Sequence, residues 1–110
     1  MSRPPVACVP EAIPAGERAS HQALGRRLFA EQALETVIGP AGLEARFGAW
    51  ALLDLARFVE NERRCCPFLE FTIRVEPAAA GVWLAMTGPP GTGEMLRNEL
   101  PEPRRGDVEA

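Results

Sequence analysis

Two hydrophobic rhythms divide the chain. From Arg18 to Gln32, Leu24 and Leu28 recur at helical spacing with His21 on the same stripe, which predicts a helix with Ser20 as its cap. Residues 33–49 then read as two short strands around Gly39-Pro40-Ala41-Gly42. In the second strand Leu43, Ala45 and Phe47 alternate with Glu44 and Arg46, so one face is buried and the other wet. Residues 50–66 return to helical spacing, with Leu52, Leu55, Phe58 and Val59 on one stripe and Asp54, Arg57, Glu60 and Arg64 off it. Pro67 disfavours helical backbone at Cys66, so this helix should end near Cys65. Phe68 to Glu76 alternates again, a turn at residues 77–81 leads into the apolar run Val82 to Thr87, and a closing helix covers Thr92 to Leu100.

Hairpin then helix thus occurs twice. The expected fold is α+β: two ββα units forming a small, mostly antiparallel four-stranded sheet with helices on one face, plus an N-terminal helix. Pro4, Pro5, Pro10 and Pro14 mark residues 1–17 as a flexible arm, residues 18–100 form the single domain, and the polar, proline-containing residues 101–110 read as a disordered tail. Arg105-Gly106-Asp107 in that tail carries no weight as an adhesion motif in a cytoplasmic protein.

Composition narrows the function. The 110 residues carry a formal net charge of −3, with Arg supplying all 12 basic side chains, which argues against a nucleic-acid surface. Nothing approaches the roughly 20 apolar residues of a membrane span, and the first residues lack the continuous apolar segment of a secretory signal, so a cytoplasmic location is expected. A domain of this size buries only about 60 to 65 per cent of its unfolded surface, which makes a homodimer a reasonable expectation. Trp50 and Trp83 read as core or interface anchors.

Gly88 and Gly93 have the spacing of a phosphate-binding loop, but Glu94 stands where Lys is required and Met95 where the metal-binding hydroxyl is required. No nucleotide site is expected. Thr92 is read instead as the cap of the last helix, with Glu94 in its first turn.

The chemistry concentrates at Cys65 and Cys66. Neighbouring Cα atoms are about 3.8 Å apart, less than the roughly 4.4 to 6.8 Å that disulfides prefer, so the pair suits two free thiols, or one thiol paired with Cys8 should the arm fold back. Thiolates select soft ions, Cu(I), Hg(II) or trivalent arsenic, and also bind Zn(II). A closed zinc site wants four ligands, so it would need Cys8, Cys65, Cys66 and His21, the sole histidine, to converge. Thiolate formation is opposed by the helix C-terminus and favoured by Arg63 and Arg64. The bland alternative makes Cys66 a small core residue in phase with Leu52, Leu55 and Val59. By the same standard His21 reads as a helix-surface residue, and Glu60 and Glu62 either as proton relays or as a solvated face.

The segments Glu62-Arg63-Arg64-Cys65-Cys66-Pro67-Phe68, Val75-Glu76-Pro77, Val82-Trp83-Leu84 and Thr87-Gly88-Pro89 resemble a group of small, largely uncharacterised bacterial proteins that share a Cys-Cys-Pro-Phe segment. The likeness spans about Trp50 to Leu100, implies a shared small α+β fold and brings no established activity; Cys8 lies outside it. Three functions are therefore expected in order: capture of a soft metal or metalloid ion by Cys65 and Cys66 with Cys8 as third ligand; a thiol redox protein or enzyme; and a structural or dimerisation module with packed cysteines.

Overall fold

The computed structural model describes residues 7–100, together with the backbone of residues 108 and 109. Helix α1 spans Arg18–Arg26 and runs into a π-helical turn, Arg27–Gln32. The order continues β1 (Glu35–Gly39), β2 (Gly42–Phe47), α2 (Leu52–Cys65), β3 (Glu70–Val75), β4 (Val82–Thr87) and α3 (Thr92–Glu99). The two ββα units join through their inner strands in the order β3-β4-β2-β1, every neighbour antiparallel. A two-residue strand, β5 (Val108–Glu109), adds to β1 in parallel; the remaining tail residues, 101–107 and 110, and residues 1–6 of the arm lie outside the described set.

Register explains the core. Leu43 faces Met86, Ala45 faces Leu84 and Phe47 faces Val82 across the central pair, and all six are buried because they share the sheet face that the helices cover. From the helices Leu28, Phe29, Leu55, Phe58 and Leu96 fill that space. Phe29 meets Phe47 and Phe58 edge to face at 5.7 and 5.4 Å. β3 is the edge of this group, so its inner row is less covered and Val75 is 57% exposed. On the outer face Trp83 lies between Arg46 and Arg74, with the Arg74 guanidinium 5.4 Å from its ring.

Several local expectations change. Ser20 does not cap α1, which starts two residues earlier at Arg18; its hydroxyl donates to the Glu17 carbonyl at 3.0 Å. Thr92 is likewise inside α3, whose flanking residue is Gly91 at φ 99, and its hydroxyl donates back to the Pro89 carbonyl at 2.6 Å. Trp50, expected in the core or an interface, is not in the core: it is 64% exposed, and the 3₁₀ turn Ala49–Ala51 turns Ala51 inward instead. The Gly88 and Gly93 amides of the phosphate-loop look-alike donate to the carbonyls of Ala41 and Pro40 at 2.9 and 3.1 Å, so they are committed to holding the hairpin.

Residues 7–17 do not behave as a loose arm. Prolines set two short 3₁₀ turns, Pro10–Ala12 and Ala15–Glu17, between which Ile13 is 3% exposed in the core. The Val9 amide donates to the Cys65 carbonyl at 2.6 Å, and Cys8 is joined to Cys66 by a disulfide. Proline removes amide donors and fixes φ; it does not prevent an irregular segment from packing.

Candidate functional site

Helix α2 ends where Pro67 requires it, and the chain turns at Cys66 (φ −121°, ψ 77°), placing two consecutive side chains at the junction. The amide of Cys66 still bonds the Glu62 carbonyl at 2.7 Å, so the last turn is intact. Residues 8–13 cross this junction. The result is a cluster in which the sulfurs of Cys8, Cys65 and Cys66 all lie within 4.8 Å of one another, an arrangement that could hold a metal ion. Two of them, Cys8 and Cys66, are bonded, with Cα atoms 4.6 Å apart, a separation the neighbouring pair Cys65–Cys66 cannot reach. Cys65 is the free thiol and is buried.

The competition over ionisation of Cys65 resolves against the thiolate. Burial, then the Glu62 carboxylate, push its pKa from 9.0 up to about 11, opposed by the hydrogen bond with Val9. The flanking arginines do not counter this, because Arg63 pairs with Glu60 at 3.1 Å and Arg64 with Glu60 at 2.9 Å on the exposed side of the helix. Those pairs, Arg63 first, hold the Glu60 carboxyl below its usual range. Glu60 is thus the solvated residue of the two candidate carboxylates.

Glu62 is the opposite case. It is 6% exposed; one carboxylate oxygen, Oε1, accepts from His21 Nε2 at 2.8 Å, and the other, Oε2, lies 3.7 Å from Cys66 Sγ. In the disulfide that sulfur has no proton to donate; in a reduced Cys66 the thiol would donate to Oε2. His21, read from sequence as a surface residue, is 8% exposed and stacks on Phe58 at 5.1 Å. Its Nδ1 is buried with no hydrogen-bond partner among the described residues. The signal was present: Glu62 falls on the stripe of Leu55 and Phe58, and a carboxylate on a buried stripe needs a partner. Which partner is a tertiary matter.

A cleft of about 380 Å³ opens over this cluster. Cys8, Cys65, His21 and Glu62 form part of its wall, with Arg18, Arg26 and Glu99 contributing charge, whereas Cys66 does not reach it. Arg18 is anchored to the carbonyls of Ile13 and Glu11 at 3.0 and 3.2 Å. Cys8 is half-buried and Cys66 fully buried, so of the two bonded residues one borders the cleft and the other is hidden. Among the described residues, no helix is long and apolar enough to cross a membrane.

Compared with protein-family models, curated proteins and solved structures, the chain has no match in any of the three.

Proposed function

We propose that this is a thiol redox protein that cycles between the Cys8–Cys66 disulfide and a three-thiol form. The observation that carries the proposal is the bonded pair Cys8–Cys66 at the wall of a cleft, with a third thiol beside it. In the cytoplasm expected from the sequence, such a bond is more often transient than structural. Reduction by an external thiol transfers two electrons to the sulfur–sulfur bond, and the protons of the incoming thiols end on Cys8 and Cys66. Incubating the purified protein with graded ratios of reduced to oxidised dithiothreitol, followed by alkylation and mass analysis, tests this. Reversible gain and loss of two thiols at Cys8 and Cys66 is expected; a disulfide that resists dithiothreitol in the folded state refutes the cycle.

A second reading rests on the third sulfur. With all three within 4.8 Å, the reduced form has the donor set for a soft ion, Hg(II), trivalent arsenic or Cu(I), and oxidation of Cys8 and Cys66 releases it by removing two ligands. His21 is not part of the cluster whose donor atoms lie within 4.8 Å of one another, so that cluster offers three sulfurs rather than a Cys3His zinc set. Native mass spectrometry of the reduced protein should then show one ion per chain, lost in Cys65→Ser. A homodimer belongs to the same proposal, with Trp50, Leu52 and Leu53 as its exposed apolar surface, and so does kinship with the Cys-Cys-Pro-Phe proteins.

A further inference from the structure

The cleft has the chemistry of a binding site for a particular reductant. We propose that it takes a low-molecular-weight thiol of amino-acid or peptide type, which attacks the disulfide at Cys8 and expels Cys66; this rests on the redox reading above. The direction follows from access. Thiolate attack on a disulfide requires approach to one sulfur with the other departing behind it, and of the two bonded cysteines Cys8 borders the cleft while Cys66 does not and is 0% exposed.

The kind of thiol follows from the wall. Arg26 and Arg18 supply cations for a carboxylate, and Glu99 supplies an anion for an ammonium group. The other carboxylate there, Glu62, is already satisfied by His21. Opposite charges around one cleft suit a zwitterion better than an apolar or singly charged thiol. A volume of about 380 Å³ is at the lower end for small-molecule sites and fits a ligand of a few residues.

In the first step the incoming sulfur forms a bond to Cys8 Sγ as the Cys8–Cys66 bond breaks, and the electron pair leaves with Cys66. The proton lost by the incoming thiol is returned to Cys66 through the Glu62 carboxylate, whose Oε2 lies 3.7 Å from that sulfur. A second molecule of thiol attacks the ligand sulfur of the mixed disulfide, releasing a small disulfide and Cys8, which takes its proton from water. Two thiols have lost two electrons and two protons, and the protein has gained them.

The test measures reduction of the oxidised full chain by glutathione, 2-mercaptoethanol, cysteamine and dithiothreitol at equal thiolate concentrations, with acid quench and peptide mass mapping. Glutathione should outpace both monothiols by about tenfold, and in Arg26→Ala and in Glu99→Gln that ratio should fall toward unity. Oxidised glutathione added to reduced Cys66→Ser should mark Cys8. Equal rates for all monothiols, or an adduct that forms on Cys66 in Cys8→Ser and not on Cys8 in Cys66→Ser, overturns the proposal while leaving a redox-active disulfide in place. Failure of every reagent, dithiothreitol included, overturns both.

Discussion

At the scale of single residues, Cys65 shows how position governs reactivity. Its sulfur sits beside a disulfide and beside two arginines in sequence, yet burial and Glu62 hold the proton on it until about pH 11. Alkylation of the oxidised protein by iodoacetamide should therefore rise about tenfold per pH unit through neutrality, without levelling until near that value. A plateau near pH 8 would show that the thiol is exposed. The same shift bears on stability. Between pH 9.0 and about 11 the unfolded chain gives up the Cys65 proton while the folded chain keeps it, so this contribution is whole below pH 9.0 and fades as pH rises through the window. Residue identity made the cysteines candidates from sequence. Their division into a bonded pair and a protonated bystander was not legible there, because it depends on which sulfur residues 7–13 bring to the junction.

At the scale of elements, the disulfide makes a strap of residues 8–17. It closes a loop of sequence separation 58 and is reinforced by the Val9 amide and by Ile13 in the core. The chain-entropy estimate for such a loop is about 4 kcal/mol, of which real proteins commonly realise about 2 to 4. Cys8→Ser should lower the free energy of unfolding by that amount in urea titration. Hydrogen exchange at Val9 should speed up by orders of magnitude while amides of β2 and β4 keep their protection. Loss of protection throughout the sheet would mean that the strap is part of the core rather than tied to it. Strand and helix periods were readable in sequence because each element buries one face: Leu43, Ala45 and Phe47 lie where alternation puts them, and α2 ends at Cys65 as Pro67 requires. The strap has no period, so its packing left no comparable trace.

At the scale of the whole molecule, the two ββα units depend on close approach between backbones. A methyl group on Gly93 would run into the Gly39 carbonyl, and one on Gly25 would come within 3.2 Å of the Phe58 ring. The first contact seats α3 on the β1–β2 hairpin, and the second lets α1 lie against α2. Gly93→Ala should destabilise the fold by about 2 to 3 kcal/mol, since backbone rather than a movable side chain stands in the way, whereas Gly16→Ala, with nothing within 4 Å, should stay within about 0.5 kcal/mol. Equal stability of the two variants by urea titration would show that α3 docks less tightly. By itself the sequence determined the class of fold, the order and ends of its main elements and the residues able to do thiol chemistry, since periodicity, proline and cysteine act locally. Only the tertiary structure decided that His21 meets Glu62, that Cys8 meets Cys66 and that a charged cleft opens beside them. These contacts join residues 41 and 58 positions apart, and nothing in a local pattern records which distant partner the packed chain will bring into reach.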